Sequence, residues 1–312
     1  MGLSIVFMGT PDFAVPSLVL LIRNSYQVVA VYTQPDKRVG RKSELVPPPV
    51  KRLAMDHRIP VLQPETLDTS KALEELASFS PELIVVAAYG RILPSKILSL
   101  PKFGCLNLHP SLLPRHRGSS PIANALLCGD EVTGATVMLM EAGVDNGPIL
   151  AQREVLVSPQ DTTGSLTPKL AQVGAELLLK SLPLWIEGKI NPQPQDESQA
   201  TFSKMLTKED GEIDWKLSAV QLWRCIRAFD PWPGCYTWWK GGRLKVCEAV
   251  PLGGGGEVGK VIIMKEPAPA TVGVVTGLGV LGLCRVQLEG RREMSAADFV
   301  RGQRDFVGSV LA

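Results

Sequence analysis

The stretch Gly104-Cys105-Leu106-Asn107-Leu108-His109-Pro110-Ser111-Leu112-Leu113-Pro114 decides how the chain is read. It begins as a short apolar run, the signature of a buried strand, and breaks at Pro110 into a proline-punctuated loop. In open α/β sheets, ligands bind beyond the carboxyl ends of the strands. Side chains alternate along a strand, so Asn107 and His109 share one face and Leu106 and Leu108 the other. A carboxamide donates to an oxygen that gains negative charge, and an imidazole moves protons near neutral pH, so the pair suits acyl transfer. Asn-X-His at a strand end is also what a loop cap beside a satisfied, half-buried histidine looks like, so the tripeptide needs support from the rest of the chain.

Upstream, residues 3–8 read as a buried strand, 13–22 as a helix and 27–33 as a second strand, a βαβ opening. Gly9-Thr10-Pro11-Asp12-Phe13-Ala14 has one glycine where a dinucleotide fingerprint needs three, which argues against a dehydrogenase. Residues 34–49 form a loop with Lys37, Arg38, Arg41 and Lys42, ending in Pro47-Pro48-Pro49. It is either a solvated charged loop or a contact for a phosphate backbone. A strand near Val61, a helix over 70–78 and a strand over 83–87 continue the alternation. The loop over 88–94, with Tyr89, Gly90 and Ile92, then lies at a strand's carboxyl end, either lining a flat ligand's pocket or serving as a turn that needs Gly90.

Downstream come a helix over 119–127, a strand over 135–140 and a turn-rich loop over 141–148 that holds Asp145. Asp145 either makes an Asx turn or accepts the proton on the far side of the His109 ring, fixing its orientation. A strand over 150–157 and a helix over 163–187 complete an α/β domain, residues 1–189: a Rossmann-like, mostly parallel sheet with helices on both faces. Residues 190–208 read as a linker, polar and proline-rich over 191–196. Residues 209–312 hold an amphipathic helix over 217–229 and then short, glycine-separated β runs, the pattern of a small OB-like barrel, a fold that often binds oligonucleotides. Of Trp232, Trp238 and Trp239, most are expected in the core.

The 312 residues suffice for two cores, and 45% hydrophobic with 21% charged residues is ordinary for a globular protein. A net charge of +2 confines any nucleic-acid contact to a local patch. Six scattered cysteines without a C-x-x-C pair suggest neither a zinc site nor a disulfide framework, and three histidines without H-E-x-x-H make a metal improbable. The apolar start lacks a basic lead-in and reads as a strand, not a signal peptide; with no membrane span in view, the expected compartment is the cytoplasm.

These motifs carry a resemblance over nearly the full length. Phe-Met-Gly-Thr-Pro-Asp-Phe-Ala (7–14), the basic loop after Gln34-Pro35-Asp36, Ala-Tyr-Gly-Arg-Ile-Leu-Pro (88–94), Asn-Leu-His-Pro-Ser-Leu-Leu-Pro (107–114) and Gly-Val-Asp-Asn-Gly (143–147) resemble the folate-dependent formyltransferases. Lys204-Met205-Leu206, Ile213-Asp214-Trp215 and the run from Ile226 through Asp230-Pro231-Trp232-Pro233 to Gly234 narrow the resemblance to the methionyl-tRNA formyltransferase family. It implies a catalytic triad of Asn107, His109 and Asp145. It implies a folate-contacting loop of Ser111, Leu112, Leu113 and Pro114, with Tyr89, Gly90 and Ile92 beside it, and tRNA contacts at Lys37, Arg38, Arg41 and Lys42. Pro110 departs from the pattern, since many such enzymes carry Ala or Gly there, and it offers no backbone N–H.

The implied reaction takes the formyl group of 10-formyltetrahydrofolate to initiator methionyl-tRNA without a metal, in a monomeric enzyme with no membrane partner. The alternatives are a sugar-nucleotide formyltransferase and a non-catalytic tRNA-binding protein. The basic insertion and the Asp230–Pro233 region argue against the first, the intact triad against the second.

Overall fold

The computed structural model describes residues 2–39, 44–264 and 270–311. The chain divides into two compact units: Met1–Pro121 with Glu131–Val157 and Thr167–Lys204, and Ile122–Asp130 with Ser158–Leu166 and Met205–Ala312.

The first unit is built on a seven-stranded sheet. Its order is Ile149–Leu156, Val132–Leu139, Cys105–His109, Leu83–Ala87, Ser4–Gly9, Gln27–Tyr32, Val61–Leu62. The strands from Cys105–His109 to Val61–Leu62 pair in parallel, while Val132–Leu139 runs antiparallel to both its neighbours. Leu83–Ala87 and Cys105–His109 are buried along their whole length, as continuous apolar runs in the middle of a covered sheet should be. The edge strand Ile149–Leu156 alternates instead. Helices form where caps and apolar spacing agree. Thr69, for example, accepts from the Ala72 N–H and starts Ser70–Ser78, which buries Ala72 and Leu76.

The basic segment expected as one loop has structure of its own. Lys37–Val39 and Glu44–Val46 pair as a short antiparallel hairpin, and Pro49–Asp56 is a helix absent from the sequence expectation. The proline run stops nothing: Pro49 occupies the first helical turn, where its missing N–H would have no partner anyway. At the hairpin's base, Lys51 Nζ donates to both Asp36 carboxylate oxygens at 2.8 Å. Lys37 and Arg38 are exposed on the hairpin, whereas Arg41 and Lys42 lie outside the described residues.

In the second unit, Ser218 and Gln221 form a capping box that starts Ala219–Ala228. The antiparallel sheet runs Cys235–Trp239, Gly242–Leu252, Val280–Leu288, Val272–Val275, Val261–Ile263, with Met294–Ser295 added on Val280–Leu288. The runs read separately at 280–283 and 286–288 are one strand. Trp239 is core, edge-on to Phe299 and Phe306 at 5.6 and 5.3 Å. Trp238 is 41% and Trp232 51% exposed, against the expectation that most of the cluster is buried. Alternation decides Trp238, since it points opposite to the buried Thr237 and Trp239. No helix among the described residues is long and apolar enough to cross a membrane.

The Asp145 loop closes tightly on the sheet: the Leu139 N–H donates to the Pro148 carbonyl at 2.9 Å. A Cβ at Gly147 would overlap the Leu139 carbonyl oxygen. Gly147→Ala is therefore expected to destabilise the protein by about 1–3 kcal/mol, read as a lower denaturant midpoint. An unchanged midpoint would refute this close approach.

Candidate active site

The strand Cys105–His109 places its polar side chains as the alternation requires. The Leu108 side chain lies against Gly174 of the helix Thr163–Ile186, close enough that a Cβ there would touch it. Asn107 and His109 therefore project from the other face. Both are buried, at 9% and 4% exposure.

Beyond Pro110 the loop is fixed by a residue the sequence did not flag. The Thr136 hydroxyl donates to the Ser111 carbonyl at 2.6 Å and accepts from the Leu113 N–H at 3.2 Å and from Gln152 Nε2 at 2.9 Å. One donor and two acceptor positions are all a hydroxyl has, so Thr136 is saturated. Gln152 Nε2 also donates to the Leu113 carbonyl at 2.8 Å.

Asp145 reaches this strand end from its own loop. Its Oδ1 accepts from Asn107 Nδ2 at 3.3 Å, and its Oδ2 accepts from the Gly118 N–H at 2.8 Å. The same Oδ2 faces His109 Nδ1 at 3.6 Å. Across the ring, His109 Nε2 lies 3.1 Å from the His116 carbonyl. A carbonyl only accepts, so Nε2 carries the proton and Nδ1 is the nitrogen left to take one up. Burial pushes His109 below the ordinary histidine value. The Asp145 carboxylate and the His116 carbonyl pull it back up, and the His116 imidazole adds a smaller downward push. The result is a neutral imidazole whose charged form has a carboxylate waiting beside it.

The proline-rich stretch read as a linker is bound along this edge. Gln193 and Ile149 exchange backbone hydrogen bonds at 2.8 and 2.9 Å. Gln195 Nε2 donates to the Asp145 carbonyl at 2.8 Å and to the Gly147 carbonyl at 2.7 Å. Its Oε1 accepts from Arg117 Nε and Nη2 at 3.1 and 2.9 Å. Arg117, 2% exposed, also grips the Glu197 carboxylate through two N–H groups at 2.9 and 2.7 Å. Phe202–Ser203 then pairs in parallel with Arg117–Gly118. A lone arginine between two loops and a glutamine among prolines give no motif, so the sequence offered no signal for either.

The residues expected around a folate are placed unevenly. Ser111 and Leu113 are buried, with Ser111 Oγ donating to the Arg115 carbonyl at 2.6 Å, and the Leu112 side chain lies against Gly134. Tyr89 is core, packed with Tyr32, Ile84 and Val86; burial pushes its phenol up to about 12. Its backbone faces the sheet edge instead: the Tyr89 carbonyl accepts from Thr10 Oγ1 and Gln34 Nε2, both at 3.1 Å. Gly90 has φ of 79°, the left-handed conformation its turn requires, and Ile92 is 87% exposed. Two cavities, of about 380 Å³ beside Trp239 and Leu288 and about 120 Å³ beside Leu67 and Ile97, are not lined by the three polar residues. Among the described residues, no group of three or more His, Cys, Asp or Glu is arranged to hold a metal ion.

With this geometry in view, the similarities to known proteins are informative. The formyl transferase family profile matches residues 3–182, and the formyl transferase C-terminal domain profile matches residues 205–304. Methionyl-tRNA formyltransferase of Chloroflexus aurantiacus is 47% identical over 96% of each chain. The protein of the same name from Geobacter sulfurreducens is 43% identical over 97% of this chain and 95% of its own. Among solved structures, the sugar 3N-formyl transferase WlaRD aligns with a TM-score of 0.65 at 15% identity, covering 94% of this chain and all of its own. HypX from Aquifex aeolicus, in complex with tetrahydrofolic acid, aligns with a TM-score of 0.63 at 18% identity over 97% of this chain. This chain spans 48% of that one. The structures share the fold, and the sequence matches go further: the chain belongs to the formyl transferase family, among the methionyl-tRNA formyltransferases.

Proposed function

We propose that the protein transfers the formyl group of 10-formyltetrahydrofolate to the free amino group of initiator methionyl-tRNA, giving N-formylmethionyl-tRNA, and that it does so as a cytoplasmic monomer. The observation that carries the reaction class is the meeting of Asn107, His109 and Asp145 at the carboxyl edge of a parallel sheet. The acceptor rests on the near full-length identity to curated methionyl-tRNA formyltransferases. Residues 1–189 are taken as the catalytic domain and 209–312 as the tRNA-binding domain.

In this reading the acceptor amine attacks the formyl carbon. Asn107 has a second Nδ2–H beyond the one given to Asp145, and that donor stabilises the oxyanion, a role typically worth about 3 kcal/mol of barrier. Neutral His109 takes the proton released by the amine at Nδ1 and returns it to the departing folate nitrogen. Asp145 stabilises the imidazolium in between and, through Asn107, orients the carboxamide. The folate is assigned to the loop Ser111, Leu112, Leu113 and Pro114 together with Tyr89, Gly90 and Ile92. Lys37, Arg38, Arg41 and Lys42 are assigned to the tRNA phosphates. A formylation assay offering methionyl-tRNA and amino-sugar nucleotides side by side tests the acceptor; transfer to the sugar alone would overturn it.

Three outcomes are expected. His109→Ala lowers kcat by roughly a hundredfold to ten-thousandfold while tRNA affinity holds, and near-normal turnover would remove His109 from the mechanism. Because the working base is the neutral ring and burial lowers its pKa, kcat falls as pH drops through a value below the usual 6.5. Asp145→Asn moves that limb to still lower pH; a limb above pH 7 in the wild type contradicts the assignment. Arg41→Ala reduces the slope of log KM for tRNA against log salt by about one, and an unaltered slope would exclude a phosphate contact there.

A further inference from the structure

We propose that Gln195 is a positioning residue for formyl transfer: its carboxamide, locked by Arg117, holds the Asp145 loop so that the carboxylate faces His109. The inference rests on the reaction assigned above. Gln195 touches no reacting atom and acts through Asp145 alone.

Every hydrogen-bonding position of the Gln195 carboxamide is used. Its two N–H groups go to the carbonyls of Asp145 and Gly147, and its oxygen takes two N–H groups from Arg117. The two carbonyls demand a donor and the guanidinium demands an acceptor. Of the side chains with this reach, only the amide satisfies both. Glutamate would set an acceptor against two carbonyls, and methionine would leave all four partners without this bond.

Asp145 is thereby gripped at both ends. Its carboxylate is held by the Gly118 N–H at 2.8 Å, and its carbonyl by Gln195. The two grips share an anchor, because Arg117 precedes Gly118 in the chain and also fixes the Gln195 oxygen. Asp145 sits at φ of 49°, a left-handed conformation that non-glycine residues adopt at a cost, so contacts must keep it there. Removing the grip at the carbonyl frees the carboxylate to drift from its 3.6 Å station beside Nδ1.

The strap itself does not depend on this one side chain. Gln193 stays paired with Ile149, and Phe202–Ser203 stays paired with Arg117–Gly118. Substitution at position 195 is therefore a test of positioning in a folded protein.

The test uses the full chain with Gln195→Met and Gln195→Glu, the second guarding against poor folding of the first. It measures kcat and KM for 10-formyltetrahydrofolate and methionyl-tRNA, the kcat–pH profile and the thermal midpoint. The expected result is a kcat reduced by about tenfold to a hundredfold in both variants, with KM for either substrate within about twofold. The charged and titratable groups facing the His109 ring are Asp145 and His116. As Asp145 drifts, the acid limb in Gln195→Met moves to lower pH, the direction expected of Asp145→Asn. A purely structural role would instead lower the midpoint and leave the limb where it was, which would overturn the proposal. Wild-type kcat and limb in Gln195→Met, with His109→Ala and Asp145→Asn both crippled, would overturn it while leaving the reaction assignment standing. Normal turnover in His109→Ala would instead strike the assignment itself.

Discussion

A single carboxylate holds three segments of the first unit against one another. Asp145 accepts from Asn107 on the central strand, accepts from Gly118 beyond the 111–115 loop, and faces His109 across 3.6 Å. Each segment arrives by a different connection, so none can fix the others by chain continuity. A carboxylate has lone pairs enough for all three, and an amide or a hydroxyl at the same place would not favour a positive charge on the ring. The strand supplies direction, since alternation sends Asn107 and His109 to one face. The carboxylate supplies register between loops.

Burial then sets the proton chemistry. An imidazole at 4% exposure is costly to charge, so His109 rests neutral and can act as a base. The same low polarity that disfavours a lone charge strengthens its attraction to a carboxylate nearby. A proton arriving at Nδ1 is thus stabilised where it lands, while the carbonyl of His116 keeps Nε2 occupied. The two influences oppose each other at rest and cooperate once charge develops, a balance a solvent-exposed histidine would not have.

How much of this the sequence carried depends on the distance over which each feature is determined. The strands 83–87 and 105–109, the helix 163–186 and the Asn107–His109 alternation follow from local apolar period, and they stand as expected. Pro47-Pro48-Pro49 was misjudged because a proline run ends one element and can begin the next, and only the packing of Val50 and Ala54 decides which. Trp238 was misjudged because an aromatic's side of a sheet depends on register, which composition does not give. Tyr89 looked like pocket lining because it flanks a glycine turn, yet its ring joins the core and only its carbonyl meets the edge. Gln195 was invisible: its partners are 48 to 78 residues away, and nothing at short range marks a glutamine as shared between an arginine and two carbonyls.

Left-handed backbone at non-glycine residues shows the same division between local and distant causes. Ser25, Arg58 and Ser80 each follow a helix end, where a left-handed residue commonly closes the last turn, and Lys240 lies in the tight Lys240-Gly241 hairpin. Those conformations have causes within a few residues. Ala88, His116 and Asp145 have no such neighbour, and all three border the carboxyl edge of the sheet. Each conformation of this kind costs on the order of 1–2 kcal/mol. At His116 the N–H donates to Thr201 Oγ1 at 2.8 Å while the carbonyl accepts from His109. At Asp145 the carbonyl and carboxylate accept from Gln195, Gly118 and Asn107. In both, the bonds that hold the strained residue come from the 195–203 strap or from the polar side chains of the strand. The strap thus offsets a cost created by the site's own geometry, which is why a stretch that looks like a spacer in sequence lies hydrogen-bonded against the site.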